Sequence, residues 1–129
     1  MANYFGLQKA ILRCTLGIWA LLSLLTACDP ADGGREPVDR HASKLVFTRH
    51  ARCRMDCRHI TEKEIREILE KGSINYAKSE PQGRPDPKYA FEGSTLEGQH
   101  LRVIFAPTQK AVVVITCIDL GVEWQCDCY

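Results

Sequence analysis

Four cysteines and one histidine, in two segments far apart in the sequence, are the residues best suited to chemistry. The first segment predicts a short basic helix, on which His50, Cys53 and Cys57 share one narrow stripe at spacings i, i+3 and i+7. The second segment contains Cys126 and Cys128. Because thiols bind soft metals and also form disulfides, we expect the two segments to meet at one site.

The spacing within each cysteine pair disfavours a bridge between its own members. On a helix, Cys53 and Cys57 place their Cβ atoms about 5–6 Å apart, whereas a disulfide needs about 3.8 Å. In an extended segment, Cys126 and Cys128 point the same way and are also too far apart. The main hypothesis is therefore a four-cysteine site for zinc or another soft metal, and the alternatives are two disulfides between the segments or free thiols. With either the metal site or the two disulfides, the acidic C-terminal tail folds back onto the basic helix.

The N-terminal residues have the pattern of a secretory signal. Lys9 and Arg13 precede an uncharged run, residues 14–27, that is shorter than the roughly 20 residues of a membrane-spanning helix. The run leads through Leu-Leu-Thr-Ala into Cys28, which resembles the lipobox of bacterial lipoproteins. We therefore predict that residues 1–27 are a lipoprotein signal peptide, that Cys28 is lipidated and that the protein is anchored to a membrane of the bacterial cell envelope.

Residues 28–43 are rich in proline, glycine and charge, which predicts a flexible tether before a domain at residues 44–129. Of the 17 Lys and Arg, the signal removes Lys9 and Arg13, which leaves 15 basic residues against 16 acidic ones. A near-neutral domain is poorly suited to non-specific binding of nucleic acid. The expected partners are therefore the membrane, through the lipid anchor, and a protein that the sequence does not identify.

The periodicity of residues 44–129 predicts an α+β domain. A short strand, Leu45–Phe47, leads to Thr48 as the N-cap of the basic helix, and Thr61 with Glu64 forms a capping box for a second helix. We expect Gly72 to end that helix in the left-handed conformation. The other charged residues of the second helix, which include Lys63 and Arg66, are interpreted as a solvated face.

Four strands are predicted after the helices, at residues 74–76, 88–93, 100–106 and 111–118. The last of them is almost continuously apolar, which is typical of a central strand covered on both faces. The predicted order is therefore β-α-α-β-β-β-β, with two N-terminal helices packed on a mostly antiparallel sheet.

Several segments of the chain resemble one known family. They are Phe47-Thr48-Arg49-His50-Ala51, Arg54-Met55, Arg58, Ile60-Thr61, Glu64-Ile65, Leu101–Phe105 and Val112–Thr116. Together they resemble the DUF4258 domain, which implies the RelE/ParE-like toxin fold. Some relatives of that fold are ribonucleases, so the resemblance also implies RNA cleavage as an alternative activity.

Three residues are candidates for a metal-independent ribonuclease centre. His100 and Arg102 share one face of a predicted strand and, with His50, would supply a general acid–base and a phosphate clamp. However, nucleases of this fold carry basic residues near the C-terminal strand, whereas no Lys or Arg follows Lys110. An exported protein would also not meet its own ribosomes. The sequence therefore favours a non-enzymatic, membrane-anchored protein with a four-cysteine metal site over the ribonuclease and over a disulfide-stabilised interaction domain.

Overall fold

A five-stranded sheet with two helices is the framework of residues 34–129, the part of the chain that the computed structural model describes. In chain order, the elements are β1 (Leu45–Phe47), α1 (Arg49–Arg58), α2 (Glu62–Lys71), β2 (Ser73–Glu80), β3 (Lys88–Ser94), β4 (His100–Pro107) and β5 (Val112–Asp119). The predicted α+β class is confirmed, with one strand, two helices and then four strands. The predicted signal peptide and Cys28 lie outside the described residues.

The sheet has the strand order β1-β5-β4-β3-β2. The strands after the helices pair as antiparallel neighbours, which agrees with the mostly antiparallel sheet predicted. β1 is the exception, since it pairs with β5 in parallel. β1 thus lies beside the last strand, although two helices and three strands separate β1 from β5 in the chain.

Both helices begin at a threonine, as predicted. The Thr48 hydroxyl oxygen accepts a hydrogen bond from the Ala51 N–H at 3.0 Å. At Thr61, the capping box with Glu64 is formed, because the Glu64 carboxylate accepts from the Thr61 N–H at 2.9 Å. Each cap satisfies a backbone donor that the first helical turn would otherwise leave without a partner.

The prediction of a left-handed Gly72 is wrong. Gly72 has φ −67° and ψ 156°, which is an extended conformation open to any residue. A Cβ at this position would lie 2.5 Å from the carbonyl oxygen of Ile68. Glycine is therefore required by a close approach of the backbone. The left-handed cap occurs instead at the end of α1, where His59 has φ 56°.

The hydrophobic core lies between the helices and one face of the sheet. From the sheet, β3 and β4 contribute Phe91, Leu101, Val103 and Phe105, and from the helices come Ala51, Met55, Ile65, Ile68 and Leu69. The alternation of β4 therefore directs Leu101, Val103 and Phe105 toward the helices. Its intervening residues lie on the opposite face.

The prediction that the last strand is covered on both faces is wrong, although β5 does lie inside the sheet between β1 and β4. Val112, Val114 and Cys117 are buried on the helix side. The residues between them, Val113 and Thr116 among others, remain partly exposed. Both helices pack on one side of the sheet, so an apolar run along β5 has only one covered face.

Part of the segment assigned by its composition to the tether packs against the domain. Val38 is only 1% exposed and belongs to the core. The Arg40 guanidinium donates to the carbonyl oxygens of Leu69 and Gly72, at 3.3 and 2.7 Å, and lies 5.0 Å over the Phe91 ring. Arg40 therefore satisfies carbonyl groups at the C-terminal end of α2.

Candidate functional site: the disulfide clasp

Two disulfides join α1 to the C-terminal tail, residues 120–129, and we call this unit the disulfide clasp. Cys53 is bonded to Cys128 and Cys57 to Cys126, with Cα–Cα distances of 5.8 and 5.9 Å. Both distances lie in the usual range for disulfides. Because the later helix cysteine pairs with the earlier tail cysteine, the tail runs antiparallel to α1.

The predicted four-cysteine metal site is wrong. All four sulfur atoms are consumed in disulfides, so none remains as a thiolate ligand. Within residues 34–129, no group of three or more His, Cys, Asp or Glu side chains is placed to hold a metal ion. The predicted return of the tail to α1 is confirmed, as is the absence of a bridge within either cysteine pair. The spacing did not separate metal from disulfides, because both require the same convergence of four sulfurs.

Asp119, at the end of β5, turns the chain toward α1. Its carboxylate is buried and accepts hydrogen bonds from the Gly121 N–H at 2.8 Å and from the Trp124 indole N–H at 3.0 Å. The Trp124 ring in turn packs edge-on against His59, with ring centroids 5.4 Å apart. These contacts direct the tail along the helix before it reaches the cysteines.

Arg58 and Cys117 lie beneath the clasp. The Arg58 guanidinium donates to the carbonyl oxygen of Cys117, and burial, followed by the nearby Arg54 charge, lowers the pKa of Arg58. Cys117 is a free cysteine with no exposed surface and belongs to the hydrophobic core. Burial raises the pKa of its thiol to about 11. The thiol is therefore protonated at neutral pH and poorly suited to attack either disulfide.

The three ribonuclease candidates do not meet in the structure. His50 is exposed on α1, which packs on the core face of the sheet, and its Nε2 lies 3.4 Å from the Nε of Arg54. His100 and Arg102 lie on the opposite face, since they alternate with the buried residues of β4. The sheet therefore separates His50 from the other two.

The two candidates on β4, His100 and Arg102, contact polar side chains of the neighbouring strands. The Arg102 Nε donates to the Glu92 carboxylate at 2.5 Å, and the Asn75 amide donates to the same carboxylate at 3.0 Å. The hydrogen bond from Arg102 is the main cause of a lowered pKa for Glu92. The His100 imidazole lies 3.1 Å from the Ser94 hydroxyl. Arg102 is thus paired with a carboxylate and is not a free clamp for phosphate.

Comparison with known families agrees with the resemblance seen in the sequence. Residues 47–119 match the model of a domain of unknown function, DUF4258. The match covers more than half of the chain, and the protein therefore belongs to the DUF4258 family. The curated proteins gave no match, and neither did the solved structures. Among the described residues, the helices are too short or too polar to span a membrane.

Sequence reasoning missed two features of the domain. Val38 and Arg40 were assigned to the tether because proline, glycine and charge surround them. Their signal was a pair of apolar residues four positions apart, Val38 and Ala42, which are both buried. The second missed feature is a cavity beside β1, to which Lys63 and Arg66 of the supposed solvated face contribute.

Proposed function

We propose that this protein is an exported, lipid-anchored member of the DUF4258 family whose domain is a disulfide-stabilised interaction module. The observation that carries the proposal is the pair of disulfides in the clasp. Disulfides persist in oxidising compartments such as the bacterial periplasm and are rare in the cytosol. The lipoprotein signal predicted at residues 1–27 supports export independently, because it concerns a different part of the chain.

The clasp suits a domain that presents a surface to a partner. Arg49 and Arg52 are exposed on α1, and the disulfides fix this basic helix against the sheet. A fixed surface loses little conformational entropy on binding. In this proposal, the lipid on Cys28 supplies the membrane attachment and the domain contacts a protein.

The order of elements also supports our assignment of the domain to the RelE/ParE-like fold. The ribonuclease activity of some proteins with that fold is not part of the proposal. Arg102 is paired with Glu92. The sheet also separates Arg102 and His100 from His50. In an interaction role, the observed disulfides hold the binding surface in a fixed position.

The proposal is tested by expressing the full chain in a Gram-negative bacterium with a fatty-acid label. We expect the wild type to carry the label and to sediment with the membranes. The Cys28→Ser variant should lose both properties, whereas Cys117→Ser, the matched control, should keep them. Peptide mapping without reduction should find Cys53 linked to Cys128 and Cys57 linked to Cys126.

Two results would contradict the proposal. One is an unlabelled wild-type protein in the cytosol with its clasp cysteines reduced. The other is a membrane-bound protein in which one metal ion is released when the four clasp cysteines are alkylated. The first result would contradict the proposed export and lipid anchor. The second would contradict the proposed role of the disulfides.

A further inference from the structure

A cavity of about 480 Å³ opens between β1 and the start of α2. Its volume lies in the usual range for ligand sites in proteins. The lining residues that matter here are Lys44, Leu45 and Phe47 in and before β1, and Glu62, Lys63 and Arg66 in α2. The cavity therefore lies where the first turns of α2 face the edge of the sheet.

Of the described residues in this lining, Glu62 alone is acidic, and its carboxylate is already paired. The Arg52 guanidinium of α1 lies 3.2 Å from the Glu62 carboxylate and 4.9 Å from the centre of the Phe47 ring. Arg52 thus offsets the charge of Glu62 and holds the aromatic wall of the cavity. The pair leaves this side of the cavity close to neutral.

The remaining charges of the lining are positive. Within residues 34–129, Lys44, Lys63 and Arg66 take part in none of the ion pairs. Arg66 donates to the carbonyl oxygen of Ala42 at 3.0 Å, which fixes the guanidinium without neutralising it. The cavity therefore favours a ligand with negative charge.

The backbone of β1 adds a second requirement. Within the described residues, β1 lies at the edge of the sheet and pairs only with β5. The Lys44 carbonyl and the Thr48 N–H bond to β5, and a parallel ladder uses alternate residues. The N–H and C=O groups of Leu45 and Phe47 therefore point away from β5, toward the open side of the edge. A ligand that satisfies them must offer both donors and acceptors at the spacing of a strand.

We propose that this edge and cavity bind an extended, acidic peptide segment of another protein, which adds to the sheet as a strand beside β1. The backbone of the segment pairs with Leu45 and Phe47, as in other cases of strand addition. An apolar side chain of the segment enters the cavity against Phe47, and carboxylates two residues before and after it, on the same face of the strand, contact Lys44 and Lys63. Nucleic acids and lipid headgroups supply negative charge but lack N–H donors at strand spacing. This inference rests on the proposed interaction role and names the surface that performs it.

The test uses the purified full chain with its disulfides intact and a fluorescent peptide of the repeat Glu-Thr-Val-Thr, in which Glu and Val share one face of the strand. We expect saturable binding by anisotropy that weakens as salt is added. The double variant Lys44→Glu with Lys63→Glu should bind at least about tenfold more weakly, because it reverses both contacts. Lys78→Glu, a charge reversal on the exposed surface of β2 at the other edge of the sheet, is the matched control and should bind like the wild type.

A second measurement keeps the protein unchanged and alters the peptide. N-methylation of alternate residues removes only the N–H groups on one edge of the peptide strand. One of the two alternately methylated peptides should lose binding and the other should keep it. Strand addition at β1 would be overturned if both methylated peptides bound equally well. It would also be overturned if Lys78→Glu weakened binding as much as the double variant does.

The same variants separate the other anionic ligands. Two further probes are single-stranded RNA and vesicles of phosphatidylglycerol and phosphatidylcholine in equal amounts. The proposal would be overturned if either probe bound in a way that depends on Lys44 and Lys63 while the peptide did not bind. Failure of the peptide would leave the fatty-acid label and the disulfide map of the proposed function unaffected, so the two failures are distinguishable.

Discussion

The two helices have the same length of ten residues and the same type of N-cap, but different forces hold them in place. α2 buries Ile65, Ile68 and Leu69 against the sheet. α1 buries only Ala51 and Met55, and two disulfides attach it to the tail. We therefore expect the disulfides to stabilise α1 in the way that apolar burial stabilises α2.

The two helices also differ in where their charged residues lie. The first turn of α2 contains Glu62 and Glu64, and its last turn contains Lys71, which complements the helix dipole at both ends. The first turn of α1 has no acidic residue and begins with Arg49. α1 is therefore the helix with less intrinsic stability, and it is the one that the disulfides support.

The largest effect is expected from removing both disulfides with Cys53→Ser and Cys57→Ser. In the chain-entropy estimate, closing a loop of 75 residues contributes about 4.5 kcal/mol, and the second bridge, which closes a short remaining loop, adds about 2.5 kcal/mol. Removal of both should therefore lower the free energy of unfolding by about 7 kcal/mol. Urea denaturation of the oxidised wild type and the double variant measures this difference.

The single variants provide the control for this prediction. Either Cys53→Ser or Cys57→Ser alone should cost only about 2–3 kcal/mol, because the other bridge keeps the long loop closed. Equal stability of the wild type and the double variant would mean that α1 is held by its packing, which would remove the contrast with α2.

A smaller effect is expected from Ile65→Ala in α2. Ile65 has no exposed surface, and shortening a buried isoleucine to alanine costs about 2–5 kcal/mol. The free energy of unfolding from urea denaturation is again the measurement. Leu96→Ala is the matched control, since Leu96 is 78% exposed and should change stability little. A similar loss in both variants would show that α2 does not depend on this burial.

The smallest effect is expected from the caps, which the helices share. Thr61→Ala should cost about 1 kcal/mol by removing the side-chain acceptor of the first turn of α2. Thr48→Ala should cost a similar amount, because each hydroxyl also donates one hydrogen bond, Thr48 to the Ile115 carbonyl oxygen at 2.9 Å and Thr61 to the Glu64 carboxylate at 3.0 Å. Thermal melts of both variants beside the wild type measure the two losses. An unchanged melting temperature in either variant would mean that its cap adds nothing to stability.

Much of the fold could be predicted from local patterns. The capping box at Thr61 and the alternation along β4 depend on neighbouring residues, so the sequence identifies them directly. The parallel pairing of β1 with β5 could not be predicted, because it joins residues that are far apart in the chain. Gly72 shows a similar limit, since its close approach to Ile68 depends on tertiary packing.

The candidate site was predictable in its location but not in its chemistry. The spacing of Cys53 and Cys57 disfavoured a bridge between them and indicated partners elsewhere in the chain. It did not determine whether the four sulfurs hold a metal or each other. Arg102 shows why catalytic candidates are difficult to judge from sequence, because its partner, Glu92, lies on a neighbouring strand.

The clasp has a consequence for how the chain responds to proteolysis. The disulfide between Cys53 and Cys128 closes the backbone from α1 to the tail into a covalent ring, and the loop at residues 81–87 lies within that ring. A protease that nicks this loop would open the ring, and the two disulfides would still hold both fragments together. The domain would therefore tolerate one cleavage on its surface and remain a single covalent body.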